Sequence, residues 1–295
     1  MKCWTVSLLA LLMFVAPIPS AAQTDHLAGN WRALARNQDG SGMIGDLAGV
    51  PLSNEGRWRA EAWHPDDFDT AEWVCRPHAW DYSLEGPLSA LRLWADVDQA
   101  TQEVVAYRGH INMGQQETVI WMDGRPHPPA TAPHTWSGFS TGEWDGDTLV
   151  VTTTHLKEAY LRRWGIMRSD RAVVRNRWKR MGDYLQATSI LYDPVYMAEP
   201  YIRTTMMWID DPNLPLEPYP CEEATEVAVP RGTVPHFLPG QNPLPAWNPQ
   251  WSDVYGTPFD ARLGGSETQY PEYVARMKTM PKPPTPAPRN SGGGR

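Results

Sequence analysis

Four histidines in the middle of the chain carry the residue type most suited to chemistry near neutral pH. They are His110, His127, His134 and His155. Imidazole acts as an acid or base in that range and is a common ligand of divalent first-row metals. Their spacing includes no H-E-x-x-H pair of a zinc-binding helix. Three hypotheses follow: His155, His127 and His134 act in catalysis, His110, His127 and His134 bind a divalent metal ion, or the rings are hydrogen-bonded at strand ends.

Two carboxylates follow the last of these histidines and could assist it. In DTLVVTTTH (147–155), strand alternation places His155 on the same face as Thr153. If that face points inward, His155 lies at the mouth of a cavity. Glu158 then follows closely enough to orient the imidazole, as a carboxylate does for a catalytic or metal-bound ring, and Asp170 is a further candidate.

A G-x-S-x-G pattern, GFSTG (138–142), lies between these histidines. In serine hydrolases this pattern forms a nucleophile elbow, which needs a strand that turns sharply into a helix. Here Asp145 and Gly146 follow within a few residues, and an Asp-Gly pair favours a two-residue β-hairpin turn. Because the context predicts a hairpin, Ser140 is not expected to be a nucleophile.

The elements that must position these residues are mainly strands. Alternating segments rich in β-branched and aromatic residues predict about eight of them. Short helices are predicted at 53–64 and at 155–165, where Leu156, Tyr160 and Trp164 lie four apart. Such a pattern is typical of a mainly β fold, an antiparallel up-and-down barrel of lipocalin or calycin type with a few short helices and long Pro-rich loops. The clearest strand segments are 91–97, 103–109, 117–123, 147–155, 171–180, 183–192 and 201–209.

The chain holds 15 tryptophans against 5 phenylalanines, which favours a binding function. Flat indole rings with one N–H suit the lining of a cavity. We expect a cavity within the barrel that binds a small aromatic or hydrophobic molecule. The alternative is an enzyme, namely a lyase, isomerase or hydrolase, that uses the cavity histidines on a small aromatic or carbonyl substrate. A third hypothesis is an envelope interaction module built on residues 228–251. The predicted ligand-binding residues are Trp121, Trp136, Trp144, Arg125 and Tyr160.

The termini predict export. Residues 1–22 have the layout of a cleavable signal peptide, which predicts a periplasmic or secreted protein. The apolar run is too short to span a bilayer, so no membrane span is expected. The net charge of −8 argues against a nucleic-acid partner. A β-barrel domain with a helical or loop segment at its start is predicted at 23–227, a Pro/Trp-rich wrapping segment at 228–280 and a disordered tail at 281–295.

Two cysteines, Cys75 and Cys221, remain once the leader is removed. An even number of cysteines in an oxidising compartment favours a disulfide bond between them. The alternative is a pair of unbonded, buried thiols.

Several stretches of the chain carry a resemblance to a protein group. WMDGRPHPP (121–129), GFSTGEWDGDTLVV (138–151) and PYPC (218–221) follow the order M-D-G-R-x-H, S-x-G-x-W-x-G-D-T-L-V-V and P-Y-x-C. With these motifs the chain resembles a group of exported bacterial proteins of unassigned activity. The resemblance implies export and a β-rich domain. Many members carry Asn-Phe or Gly-Phe where this chain has Thr154 and His155, so a role of His155 would belong to a subgroup.

A shorter resemblance lies near the predicted start of the barrel. Gly29, Asn30 and Trp31 are similar to the G-x-W of the first strand of lipocalins. In lipocalins this tryptophan closes the bottom of the barrel, and the resemblance implies the same place for Trp31.

Overall fold

The computed structural model describes most of the region between residues 27 and 281. The leader, the tail beyond 281 and both Cys75 and Cys221 lie outside the described residues, so the signal peptide, the tail and the disulfide stay predictions. The described residues are 27–34, 47, 49–64, 78–82, 90–112, 115–162, 165–215, 233, 236–238, 241, 258, 261 and 264–281.

Eleven strands and two α-helices lie within these residues. No helix among them is long and apolar enough to cross a membrane. A 3-10 helix, Ser266–Gln269, precedes the second α-helix. The elements are β1 (Gly29–Ala33), α1 (Asn54–Ala62), β2 (Leu91–Val97), β3 (Val104–Ile111), β4 (Gln116–Trp121), β5 (Phe139–Asp145), β6 (Thr148–Thr154), β7 (Ala159–Arg162), β8 (Ile166–Arg168), β9 (Val173–Met181), β10 (Tyr184–Tyr192), β11 (Tyr201–Asp210) and α2 (Pro271–Met277).

Nine of the strands form a closed barrel in the order β1-β11-β10-β9-β6-β5-β4-β3-β2, which confirms the predicted mainly β barrel. Neighbouring strands in the barrel are antiparallel except at one place, where β4 and β5 run parallel with Ile120 opposite Ser140. The parallel pair arises because residues 122–138 carry the chain back to the end of the barrel where β4 began. Strands β7 and β8 form a separate two-stranded sheet.

Strand alternation fills the barrel with aromatic and aliphatic side chains. We call the main group the tryptophan cluster. Within it, the Trp178 ring stacks on Trp208 with centroids 5.7 Å apart and on Trp80 at 6.5 Å. The cluster contains Leu27, Trp31, Trp80, Leu91, Leu93, Tyr107, Ile111, Ile120, Leu149, Val151, Trp178, Leu185, Ala187 and Trp208.

Trp31 lies on β1 and is fully buried. Its indole Nε1 donates a hydrogen bond to the Leu27 carbonyl oxygen at 3.1 Å. The Arg180 guanidinium lies 4.9 Å from the centre of the Trp31 ring, and its Nη2 contacts an Asp210 carboxylate oxygen at 2.9 Å. A cation over the face of an indole ring is a favourable contact. The tryptophan of the G-x-W motif is therefore held between the backbone and an arginine.

A second hydrophobic group, the helix-side cluster, packs beside α1. Helix α1 confirms the prediction for 53–64, and the Ser53 hydroxyl caps it by accepting a hydrogen bond from the Gly56 N–H at 3.1 Å. The helix-side cluster contains Leu47, Val50, Ala60, Leu156, Leu161, Ile166, Ala172, Val174, Leu191, Met197 and Tyr201.

The helix predicted at 155–165 is wrong, because the chain forms the β7–β8 hairpin there. Gly165, with a φ of +100°, makes the turn between the two strands instead of ending a helix. The hairpin brings Leu161 and Ile166 together in the helix-side cluster. The four-residue spacing therefore did not indicate a helical face.

A buried ion pair fixes the loop that inserts Trp80 into the barrel. Arg168 Nε lies 2.7 Å from an Asp81 carboxylate oxygen, and both side chains are nearly inaccessible to solvent, at 1% and 3% exposure. Arg168 Nη1 also donates to the carbonyl oxygens of Lys157 and Ser169. These contacts satisfy the guanidinium in a place where an unpaired charge would be costly.

Candidate functional site

The proline-rich connection, residues 122–138, packs against the outer face of β5 and β6. The backbone N–H of Thr135 donates to the His155 carbonyl oxygen at 2.9 Å, and Lys157 N–H donates to the Thr135 carbonyl oxygen at 2.9 Å. Gly138 has a φ of +65°, and a Cβ there would lie 2.6 Å from the Thr154 carbonyl oxygen. Only glycine therefore lets the connection approach the barrel so closely.

This packing brings three of the predicted histidines together outside the barrel. His155 does not point inward as alternation predicts, because its φ of +57° breaks the extended geometry of β6. Its Nδ1 lies 2.7 Å from the Thr154 hydroxyl, and its Nε2 lies 3.0 Å from the Pro129 carbonyl oxygen. The His134 and His155 ring centroids are 5.2 Å apart. The expected position of His155 at the mouth of an internal cavity is thus wrong.

His127 links the hydroxyls of the two strands. Its Nδ1 lies 2.7 Å from Thr154 Oγ1, and its Nε2 lies 2.9 Å from Thr141 Oγ1. Thr141 and Thr154 alternate with residues that face the barrel interior, so both hydroxyls lie on the outer face. We call His127, Thr141, Thr154 and His155 the histidine network.

The direction of every hydrogen bond in the histidine network follows from one carbonyl group. The Pro129 oxygen can only accept, so His155 Nε2 carries a hydrogen. In a neutral His155 ring, Nδ1 then accepts from the Thr154 hydroxyl. The Thr154 oxygen in turn accepts from His127 Nδ1–H. His127 Nε2 is left as an acceptor, and the Thr141 hydroxyl donates to it.

The pKa of His127 supports this neutral arrangement. Burial lowers it below its ordinary value of 6.5, and the nearby imidazole of His155 lowers it further. At neutral pH His127 therefore keeps a lone pair directed at the Thr141 hydroxyl. This is the arrangement of a hydroxyl and its general base.

The histidine rings form hydrogen bonds or ion-pair contacts, as in the hypothesis that they are hydrogen-bonded at strand ends. His134 Nδ1 donates to the Leu156 carbonyl oxygen at 3.0 Å. His110 lies apart on β3, where its Nδ1 is 3.4 Å from a Glu117 carboxylate oxygen. Across the part of the chain that the structure describes, no three His, Cys, Asp or Glu side chains are grouped to hold a metal ion. The proposed ligands His110, His127 and His134 are not brought together.

A groove adjoins the histidine network, and we call it the outer groove. Its volume is about 350 Å³, and its walls are the outer face of β2, β3 and β4 and the start of β5. Phe139 connects the two features, since its ring meets His127 edge-on with centroids 5.2 Å apart. The lining residues are Trp94, Arg108, Gly109, Glu117, Thr118, Val119, Trp121, Ser137, Gly138 and Phe139.

Polar groups at the outer groove carry charges of both signs. Arg108 Nε donates to an Asp96 carboxylate oxygen at 2.7 Å, which leaves its other N–H groups as donors. The Arg125 guanidinium lies 3.6 Å from the centre of the Trp121 ring. Arg125 also lowers the pKa of the Asp123 carboxyl through hydrogen bonds and charge. The groove thus presents flat rings with donors and acceptors at its edges.

Of the predicted ligand-binding residues, Trp121 lines the outer groove and Arg125 covers its ring. Trp136 lies in the proline-rich connection, where Lys157 Nζ is 5.0 Å from its ring centre. Trp144 packs against the tryptophan cluster, and Tyr160 lies on β7.

The predicted carboxylates do not assist His155. The Glu158 carboxylate accepts a hydrogen bond from the Tyr196 hydroxyl at 2.9 Å. Burial and this bond raise the pKa of Tyr196 to about 12. Asp170 is exposed in the turn before β9. Glu158 and Asp170 therefore both lie apart from the histidine network.

Ser140 of the G-x-S-x-G pattern points into the barrel, as its hairpin context predicts. It is buried, and its hydroxyl lies 2.8 Å from the Thr153 hydroxyl. The residues that the sequence argument missed are its neighbour Thr141 and the groove residues Trp94 and Phe139. Alternation within β2 and β5 was the available signal, since Trp94 and Thr141 each lie between two inward-facing residues and Phe139 precedes the inward-facing Ser140.

Comparison of the chain with protein-family models, with curated proteins and with solved structures found no match.

Proposed function

We propose that the chain is a small-molecule-binding β-barrel protein that takes a planar aromatic ligand in the outer groove. The observation that carries this proposal is the groove itself, in which Trp94, Trp121 and Phe139 frame a volume of about 350 Å³. That volume lies in the range of small-molecule pockets, which are mostly apolar with a few placed polar groups. Arg108 and Glu117 would meet hydrogen-bonding substituents on the ring. The layout of residues 1–22 supports export, so we place this binding in the periplasm or outside the cell.

The test uses two probes that share a carbon skeleton and differ in aromaticity. 2-Naphthol is flat, whereas decahydro-2-naphthol has the same carbon skeleton and hydroxyl without π-faces. Stacking favours the flat compound, so we expect saturable calorimetric binding of 2-naphthol and weaker binding of the saturated alcohol. Trp94→Ala removes one wall and should weaken 2-naphthol binding about 3- to 10-fold, which corresponds to roughly 0.5–1.5 kcal/mol for an aromatic pair.

Trp58→Ala is the matched control, because Trp58 lies on α1 with 61% of its surface exposed. This variant should bind 2-naphthol as the wild type does. Equal binding of both probes, or an unchanged affinity in Trp94→Ala, would refute the proposed groove.

A second candidate, a hydrolase acting on small aromatic esters, rests on the direction of the Thr141–His127 hydrogen bond. The Thr141 oxygen would attack the ester carbonyl carbon while its proton passes to His127 Nε2. The ester C–O bond would then break, and the alcohol would leave with that proton. Water would cleave the acyl-threonine in the same way and release the acid. His127 Nδ1–H donates to Thr154, which holds the ring in the orientation that the transfer needs.

The ester of the binding probe, 2-naphthyl acetate, tests this candidate. We expect slow release of 2-naphthol that Thr141→Val and His127→Gln each reduce about 10²-fold or more in kcat. Thr152→Val is the control, because Thr152 lies opposite Thr141 on the same outer face. Mass spectrometry should find an acetyl group on the peptide that contains Thr141. Rates that are the same in all three variants would reject the hydrolase and leave the binding proposal intact.

A further inference from the structure

A belt of polar side chains crosses the interior of the barrel. It lies where the two hydrophobic groups meet, since on β9 Val174 belongs to the helix-side cluster, Trp178 belongs to the tryptophan cluster and Asn176 lies between them. All its members are buried, although each carries a hydrogen-bonding group. The polar belt consists of Gln116, Thr118, Ser140, Thr153, Asn176 and Ser189.

In the part of the chain that the structure describes, two members of the polar belt and two nearby tryptophans have polar atoms without a partner. Within the described residues, no hydrogen bond reaches Thr118 Oγ1, the Asn176 amide nitrogen and oxygen, Trp80 Nε1 or Trp178 Nε1. Ser140 and Thr153 in the same belt do bond to each other. Folded proteins pair nearly all buried polar atoms, so unpaired ones gathered in one place call for a specific reason.

The four side chains are neighbours in the interior. Trp80 stacks on Trp178 with centroids 6.5 Å apart, and Asn176 lies two residues from Trp178 on the same inner face. Gly109 leaves room for the Trp80 ring beside Thr118. A Cβ at Gly109 would lie 2.5 Å from Trp80 Cη2 and 3.2 Å from Thr118 Cγ2.

We propose that this region is an internal binding site, adjoining the outer groove at Gly109 and Thr118, for a small uncharged molecule with a carbonyl or hydroxyl oxygen on an apolar body. The two indole N–H groups and the Asn176 amide N–H₂ can only donate, which favours an oxygen acceptor. The polar belt has no ionisable side chain, so a charged ligand would be buried without a counter-charge. The tryptophan rings supply apolar contact for the rest of the molecule.

The test compares acetophenone with isopropylbenzene, which replaces the carbonyl oxygen by a methyl group on the same skeleton. Protein labelled with ¹⁵N in its indole groups is titrated with each probe, and the Nε1–H signals are followed by NMR. We expect acetophenone to shift the Trp80 and Trp178 signals saturably. Isopropylbenzene should bind about 10-fold more weakly because it leaves the donors unpaired. Acetone serves as a smaller carbonyl probe.

Variants distinguish binding at this site from a nonspecific effect of the probes on the NMR signals. Asn176→Leu keeps the size of the side chain and removes both amide partners, and it should abolish the saturable shift of Trp80 and Trp178. If Asn176→Leu does not fold, Thr118→Val removes another unpaired polar group of the same region, from β4, and should weaken the saturable shift. The Trp94 and Trp121 signals report the outer groove independently, so failure at one site is visible apart from the other. Lack of a saturable shift with either carbonyl probe, or an equal shift in the folded variant, would overturn the internal site.

Discussion

The two faces of the β5–β6 hairpin carry similar side chains and have different environments. On the inner face, the Ser140 and Thr153 hydroxyls are buried and bond to each other at 2.8 Å. On the outer face, the Thr141 and Thr154 hydroxyls are half-buried and bond to His127. Hydroxyl groups of successive residues on the same two strands thus bond to each other on the inner face and to an ionisable imidazole on the outer face.

The difference shows that the face of a strand decides what a hydroxyl can do. Ser140 is the centre of a sequence pattern associated with nucleophiles, yet its hydroxyl bonds to the Thr153 hydroxyl inside the barrel. Thr141, which no motif marks, receives a base because the proline-rich connection brings His127 over the outer face. A chemical role here depends on which strand face the connection covers.

The largest effect is expected from breaking the buried ion pair between Arg168 and Asp81. Asp81→Ala leaves the Arg168 guanidinium buried without a counter-charge, and we expect the free energy of unfolding to fall by about 3–5 kcal/mol. Urea unfolding followed by circular dichroism measures it. The loss would also release the loop that inserts Trp80.

The matched control removes an exposed ion pair from the hairpin itself. Asp145 pairs with Arg177 at 2.9 Å, and both side chains are largely exposed. Asp145→Ala should therefore cost about 0–1 kcal/mol. Similar losses in the two variants would show that burial does not separate the two pairs.

The strands of this fold could be predicted because their signals are local. Alternation and turn residues placed β2 at 91–97, which matches Leu91–Val97, and placed β10 within one residue of Tyr184–Tyr192. The β7–β8 hairpin was not predicted, because a spacing of four residues is also compatible with helix. The parallel pairing of β4 and β5 depends on the path of the proline-rich connection, which no local pattern records.

The candidate site was predicted only in part. His127, His134 and His155 do lie close together, but the sequence could not show that they lie outside the barrel. That position depends on the φ of His155 and on the close approach at Gly138, both set by tertiary packing. Trp94 and Phe139 were missed because the sequence argument placed the ligand inside the barrel, whereas these two side chains line a groove on its outer face.

The next prediction tests the two hydroxyl faces directly. Ser140→Ala leaves the Thr153 hydroxyl buried without its partner, so we expect a loss of about 1–3 kcal/mol in the free energy of unfolding. Binding of 2-naphthol should stay unchanged, because Ser140 faces away from the outer groove. Thr141→Val should cost less stability, since its surroundings admit water, and should act on the ester reaction. The assignment of the faces would be contradicted if Thr141→Val caused the larger loss of stability and Ser140→Ala changed 2-naphthol binding or the ester reaction.

The smallest effect is expected in the pH dependence of stability, and it arises on the outer face alone. The pKa of His127 in the folded chain is below its ordinary value of 6.5, so the unfolded chain binds a proton more readily. The contribution of neutral His127 is therefore complete above that value and is lost as the pH falls through the lowered pKa. His127→Gln cannot be protonated and should show a flatter decline in unfolding free energy between pH 7.5 and pH 5, a change smaller than that caused by Ser140→Ala.

His110→Gln provides the control for this slope, because His110 lies beside Glu117 and outside the histidine network. The unfolding free energy of His110→Gln should still show the part of the decline with falling pH that His127 causes. The inner-face variant Ser140→Ala should lower the unfolding free energy at every pH without changing the slope. If His127→Gln follows the wild-type curve in parallel, protonation of His127 is not coupled to folding. The proline-rich connection would then be held on the barrel by its backbone hydrogen bonds and packing, and the two faces of the hairpin would differ in exposure but not in titration.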